Sequence, residues 1–376
     1  MHVPATLVRG GTSKCWLFDQ QHVPASLAGI EELLVNAYGA DDPVQLNGVG
    51  GATPTTSKAA VVRPSHAPGI DVEYLFGQVG IGVPAVEWGS NCGNCATAIA
   101  LWTVGRGLVP VTGDRTTVVL RNVNTGAVLE ATVDTAGGVV HEFGDVTVPG
   151  TRSGGVAVGL TFLDPAGGTT GSLLPTGAAA ERLDAGGRRA RVSLLDAGAP
   201  MSLVDAGSVG RTGAESPAVL GADVPWLRAI RHAAADVMGL RPAGAAHTDA
   251  VPKVGLVGPP AGYLSSTGEP VSARDHDVTV RMLSMNAPHP AIGLTSAVGI
   301  ALANLIDGSV VHRASTAAGL PRVRIGTPAG VVDVACADTE GGYPRRVTVR
   351  RAARVICEAR ILVPDPRRRT LAHSPG

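Results

Sequence analysis

Apolar and polar positions along this chain follow two different periods. Runs at 5–8, 15–18, 59–62 and 72–76 are short and rich in apolar residues, which predicts strands. Residues 24–38 carry Leu27, Ile30, Leu33, Leu34 and Ala37 at helical spacing, which predicts an amphipathic helix. Residues 93–107 behave differently. Cys95, Ala96, Ala98, Ile99, Ala100, Leu101, Trp102 and Val104 leave no polar face, so a helix buried on all sides is predicted, stopped by Gly105 and Gly107. Alternating segments at 117–123, 128–133, 139–143 and 156–162 recur about every ten residues, the spacing of antiparallel sheet.

A stretch rich in Gly, Ala and Thr, 164–189, reads as a connection, and a second pass through the same plan then begins. Strands are predicted at 192–195, 202–204, 253–257 and 278–282, with an amphipathic helix at 226–238. A polar turn, 284–290, then opens a second all-round apolar helix, 291–306, with Pro290 in its first turn and Gly308 at its end. Strands at 323–325, 331–336, 346–349 and 355–362 follow. Glycine turns fall near residues 10 and 197, and the buried helices begin near 93 and 290, so a duplication is expected. It gives domains at 1–185 and 186–363, with a disordered polar tail at 364–376. A helix buried to its first turn points free N–H groups into the protein. Two such helix starts facing each other suit a small molecule with several carboxylates.

Charge narrows the partners. The 376 residues hold 31 basic and 31 acidic side chains, so neither nucleic acid nor an anionic membrane is an expected partner. Five cysteines, Cys15, Cys92, Cys95, Cys336 and Cys357, do not make a disulfide framework. The first residues lack a basic, apolar leader, and 291–306 is short and broken by Thr295, Ser296, Gly299 and Asn304, so a cytoplasmic location is expected. Only three of the basic residues are lysines: Lys14, Lys58 and Lys253. In so arginine-rich a chain, a retained lysine points to a position where arginine will not serve, because lysine can be tuned to exchange its proton.

Candidate chemistry gathers around Cys92 and Lys58. A thiol at a helix start is acidified by the dipole, which makes Cys92 an acid/base candidate; the alternative is a structural cysteine. Cys92-Gly93-Asn94-Cys95 also has C-x-x-C spacing, that of a redox pair or half a zinc site, but there is no second C-x-x-C and no neighbouring histidine pair. No metal is expected. Arg9, Ser13 and Lys14 offer a carboxylate clamp or a plain turn. Asn91, Gly93 and Asn94 offer backbone N–H groups or simple helix capping. The loop 47–58 fits neither a Walker motif nor a dinucleotide fingerprint. Asp275-His276-Asp277 reads as the solvated start of a strand.

Several motifs together carry a resemblance. They are RGGTSK (9–14), GGATPTTSK (50–58), SNCGN (90–94), LLPTG (173–177), SLLDAGAP (193–200), VPK (251–253) and RMLSM with His289 and Thr295 (281–295), which lie in order across most of the chain. In these the chain resembles the PrpF-type aconitate isomerase family, within the diaminopimelate epimerase fold. The resemblance implies an α+β protein of two pseudo-symmetric domains, each a curved, mostly antiparallel sheet around a central buried helix. It implies no cofactor, a small polycarboxylate substrate, and double-bond migration or cis-trans change by proton abstraction and return. A homodimer remains an open expectation. Lys58 and Cys92 correspond to the residues flanking the substrate, with Lys58 as first choice for base through a depressed pKa and Cys92 as the opposing acid/base or a substrate contact; the alternative is that Lys58 is a carboxylate-binding ammonium and Cys92 or a water carries the proton. Thr56, Ser57, Ser284, Met285, His289, Thr327 and Gly330 fall in the same motifs as substrate contacts. Pro54, Cys95, Pro290 and the turn 326–330 depart from the family pattern, which bears on the substrate. An amino-acid racemase of the same fold, or an accessory protein that only binds a polycarboxylate, are the alternatives.

Overall fold

The computed structural model describes residues 1–89, 92–242 and 244–363. Asn91 and the expected tail at 364–376 lie outside the described residues. The chain forms two compact units, Met1–Leu160 joined by the segment from Arg351 onward, and Thr161–Arg350. The boundaries therefore differ from 185 and 363. The strand Glu181–Ala185 pairs with Arg188–Ala197 in the second unit, and residues 353–362 return to pair antiparallel with His2–Gly10 in the first.

Unit 1 opens with an antiparallel hairpin, His2–Gly10 and Ser13–Asp19, turning at Gly11 with φ 52°. Lys58–Pro64 adds parallel to Ser13–Asp19, Val72–Val79 antiparallel to that, and Arg115–Asn122 parallel again. Val128–Asp134 closes the series as an antiparallel hairpin. Unit 2 repeats the order. Arg188–Ala197 and Ala199–Asp205 form a hairpin over Gly198 (φ 68°); Lys253–Gly258 joins parallel, Val278–Ser284 antiparallel, Arg322–Thr327 parallel, and Gly330–Glu340 antiparallel. The duplicated plan of the sequence thus reappears as one pairing scheme used twice.

Among the described residues five α-helices accompany the strands: α1 (Leu27–Tyr38), α2 (Gly93–Gly105), α3 (Pro217–Val237), α4 (Leu294–Leu305) and α5 (Val310–Ala314). α1 buries Ile30, Leu33, Leu34, Ala37 and Tyr38 on one face, and Ser26 caps it by accepting the Gly29 N–H at 3.1 Å. α2 is buried on every side from Cys95 to Val104 and packs on both hairpins and the Lys58–Pro64 strand. α4 is its counterpart in unit 2. The two buried helices differ from α1 and α3 at their starts. Their N-cap residues, Cys92 and Gly293, supply no side-chain hydrogen bond.

Four expectations need correction. α4 begins at Leu294 after Gly293 rather than at 291, so Pro290 lies ahead of the helix and not in its first turn. α3 begins at Pro217 rather than 226, because Pro217 takes the first turn, Ser216 caps it, and Pro225 is accommodated inside the helix. Residues 139–143 are not a strand: Val139, Val140 and Phe143 are exposed, and Phe143 lies under the Arg354 guanidinium. The strands expected at 346–349 and 355–362 are one, Tyr343–Leu362, uninterrupted by Arg350 and Arg351.

Glycine sets how closely each hairpin meets its helix. A Cβ on Gly10 would lie 1.9 Å from the Asn94 carbonyl oxygen, and one on Gly198 would lie 3.2 Å from that of Thr295. Gly10→Ala should lower stability by about 1–3 kcal/mol through forced displacement of α2. Chemical denaturation checks this, and an unchanged midpoint would mean that the hairpin does not hold the helix start in place.

Candidate active site

The start of α2 collects most of the sequence candidates of unit 1. Gly10 and Gly11 leave room for the first turn, and Asn94 ties three segments together. Its Nδ2 donates to Thr12 Oγ1 at 3.1 Å and to Ser13 Oγ at 3.3 Å, and its Oδ1 accepts from Arg351 Nη2 at 2.8 Å. The Lys14 N–H donates to the Thr55 carbonyl at 2.9 Å, which joins the RGGTSK turn to the loop that carries Thr56, Ser57 and Lys58. That loop is fixed from below. Ser57, fully buried, donates to Gln45 Oε1 at 2.6 Å, while the Thr56 hydroxyl bonds Thr53 Oγ1 at 2.7 Å.

Lys58 opens its strand as a half-buried ammonium. Nζ donates to Gln78 Oε1 at 2.5 Å, lies 5.2 Å from the centre of the Phe76 ring, and is within hydrogen-bonding reach of Cys92. Its backbone carbonyl accepts from Tyr38 Oη at 2.6 Å. Arg9 donates to the carbonyls of Gly11 at 3.0 Å and Gly154 at 2.9 Å, so part of its guanidinium already braces the turn. Burial and the nearby Arg354 lower its pKa.

The thiols do not behave as the helix dipole alone suggests. A hydrogen bond with Cys95, and then burial, push the Cys92 thiol well above its ordinary value; burial does the same for Cys95. At neutral pH both are therefore thiols, and the expected acidification of Cys92 is not found. Burial works against the charge on Lys58 and lowers its pKa, whereas coupling to Cys92, Cys95 and Cys15 lifts it above lysine's usual value only when those thiols are ionised. Cys92 and Cys95 are both free, and no group of side chains suited to a metal occurs among the described residues.

Arg351 was missed by sequence reasoning. It is 4 % exposed, its Nε has no partner among the described residues, and burial brings its pKa down to about 10. Its strongest charged neighbours are Cys92 and Arg9. The readable signal is the period of two: Val347, Val349, Arg351 and Ala353 are all buried, so the arginine occupies an inward position of its strand.

Of the unit 2 candidates, Ser284, Met285 and His289 lie at the end of the Val278–Ser284 strand, whereas Thr327 and Gly330 close the neighbouring hairpin near that strand's start. Ser284 and Met285 are exposed, and Met285 has a left-handed φ of 53°. His289 Nδ1 accepts the Ala291 N–H at 2.9 Å. Thr327 is fully buried and donates to the Gly330 carbonyl at 2.8 Å, within its own hairpin. The segment Asp275-His276-Asp277 is not solvated: His276 and Asp277 are buried, and Asp277 accepts from Arg324 Nη2 at 2.7 Å.

Comparison with known proteins gives a consistent result. A family profile described as PrpF protein matches residues 1–364. A 2-methyl-aconitate isomerase of Shewanella oneidensis is 36% identical over 389 residues, covering 97% of each chain. A (4E)-oxalomesaconate Delta-isomerase of Novosphingobium is 38% identical over 310 residues, 81% of each chain. The crystal structure of a methylitaconate-delta-isomerase superposes with a TM-score of 0.86 at 30% identity, covering 96% of both chains. The α+β, diaminopimelate epimerase-like fold expected from the motifs is the one observed. No helix among the described residues is long and apolar enough to cross a membrane.

Asn94→Ala would leave Arg351 without its acceptor and separate the hairpin turn from α2. A loss of about 1–3 kcal/mol in unfolding free energy is expected, the usual cost of an unpaired buried polar group. A variant as stable as wild type in denaturant titration would show that Asn94 does not hold Arg351.

Proposed function

Since the chain belongs to the PrpF family and is an isomerase, we propose that it moves a double bond, or changes cis-trans geometry, in a small unsaturated di- or tricarboxylate by removing and returning a carbon-bound proton. The observation that supports this most is the gathering of Lys58, Cys92 and Arg351 at the uncapped start of α2, where their main electrostatic influences come from one another, from other thiols and from Arg9 rather than from carboxylates. Such a place attracts carboxylates and the negative charge of a dienolate.

The protons divide as follows. At rest Lys58 is an ammonium and Cys92 a thiol. Losing one proton leaves either amine and thiol or ammonium and thiolate. The proposed reaction runs through the second form, in which the ammonium offsets the thiolate charge. Cys92 thiolate then takes the allylic proton, while the Lys58 ammonium stabilises the dienolate and returns a proton at the other end of the allyl system. Arg351, Arg9 and the first N–H groups of α2 hold a substrate carboxylate. In this reading Lys58 serves as the acid and Cys92 as the base, the reverse of the first choice from the motifs.

Turnover in deuterated water with 2-methylaconitate- and methylitaconate-type acids tests the reaction. Deuterium is expected at the allylic carbon of product or recovered substrate. Product formed without label and without retention of a substrate deuteron would overturn proton transfer. Cys92→Ser should reduce kcat by about 10²–10⁴-fold. Lys58→Arg should bind with similar KM but lose most turnover, since arginine cannot release its proton. The sign of the pH dependence follows from the raised Cys92 pKa. The active form is the thiolate, so kcat/KM should climb as pH rises from neutrality, and a flat or falling profile would exclude Cys92 as base.

A further inference from the structure

We propose that Gln78 is a positioning residue, which holds the Lys58 ammonium without cancelling its charge and so aims it for proton transfer. The two residues are direct cross-strand partners in the antiparallel pair of Lys58–Pro64 with Val72–Val79, so their side chains leave the same face of the sheet. Lys58 Nζ donates to Gln78 Oε1 at 2.5 Å. The other end of the amide is committed too, because Nε2 donates to the Ser57 carbonyl at 2.9 Å. That carbonyl also accepts the Val79 N–H at 3.0 Å, and the Ser57 hydroxyl is tied to Gln45 Oε1 at 2.6 Å. A flipped amide would set two oxygens against each other and an NH2 group against the ammonium, so one orientation alone satisfies every partner.

The neutrality of the holder carries the inference. A lysine head on its flexible stem samples many positions unless it is tied. A carboxylate would tie it, but would also cancel its charge and strengthen its hold on the proton. Here the two ties are an amide oxygen and the Phe76 ring, whose centre lies 5.2 Å from Nζ and which stands two residues before Gln78 on the same face of the strand. Among the described residues the titratable groups that face Lys58 are thiols, Cys15 from the hairpin and Cys92 and Cys95 from α2, with no carboxylate among them. From α1, Tyr38 Oη donates to the Lys58 carbonyl at 2.6 Å and fixes the start of the strand. The ammonium is thus held in place from the backbone outward, while its charge stays available to a dienolate. Strand pairing alone would need neither end of the Gln78 amide.

The catalytic consequence rests on the isomerase reading, whereas the hold of Gln78 on Lys58 does not. The chain has only three lysines, so acetylation by acetic anhydride can be read lysine by lysine from peptide masses on the full protein, with Lys14 and Lys253 as internal references. Gln78→Glu keeps the size of the side chain and pairs with the ammonium, so at one fixed alkaline pH Lys58 should acetylate about tenfold more slowly than in wild type. Gln78→Leu removes the acceptor, and Lys58 should acetylate faster. A role in packing alone would loosen the strand and speed Lys58 labelling in both variants. With the acids of the exchange assay, both variants should lose kcat by about 10²-fold with KM little changed, because the proton donor is misplaced in one and held back in the other. In Gln78→Glu the rising limb of kcat/KM should also move to higher pH, since the carboxylate cancels the ammonium charge that favours the Cys92 thiolate. If Gln78→Leu fails to fold, Gln78→Glu carries both readings. Unchanged or faster Lys58 labelling in Gln78→Glu, or wild-type kcat in that variant, overturns the proposal. Slowed Lys58 labelling in Gln78→Glu, with no deuterium exchange by the wild-type protein, would sink the isomerase reading and keep the hold on Lys58; wild-type exchange without slowed labelling would do the reverse.

Discussion

The first-turn N–H groups of a helix with no water around it are the constraint on which unit 1 depends. α2 is buried from Cys95 to Val104, and its N-cap residue offers no side-chain acceptor. Those donors must meet either protein or ligand. The surrounding structure keeps them available. Gly10 and Gly11 admit the helix start against the hairpin, and Asn94 uses its side chain to hold Thr12, Ser13 and Arg351. α4 repeats the device against Gly198, again with a cap residue that has no side chain to give. The surface helices α1 and α3, by contrast, are capped by Ser26 and Ser216.

Burial then decides the charges. A thiol at a helix start is acidified when the dipole is the dominant influence. Here its hydrogen bond with Cys95 and the loss of solvent outweigh the dipole, and Cys92 stays protonated at neutral pH. Arg351 is held in the same interior with one nitrogen unpartnered among the described residues. Such an arrangement is unfavourable for stability and favourable for binding, since an arriving carboxylate regains what burial removed. Unit 2 shows the same tension at Arg231, whose Nε and Nη2 have no partner among the described residues while Asp249 is already engaged by Arg228.

The local patterns were legible because each follows from a short stretch of chain. The all-round apolar run of α2 needs no partner to be recognised, and neither do the glycine turns near Gly10 and Gly198 or the single-face pattern of α1. The repeated order of elements also announced two units with one pairing scheme. Motif spacing singled out Lys58 and Cys92 as candidates, and the fold brings the two side chains together.

What the chain alone did not decide depends on partners far away in sequence. The strands expected at 346–349 and 355–362 leave Arg351 between them; only the inward register of Tyr343–Leu362 shows that Arg351 points into the interior beside Asn94, more than two hundred residues away in the chain. The unit boundary moved for the same reason, because the last strand finds its partner in the first. Asp277 reads as solvated until Arg324 is placed against it. The protonation of Cys92 and Lys58 was beyond the sequence too. A pKa answers to solvent exclusion and to charges from several segments at once, and those distances exist only after the chain has folded.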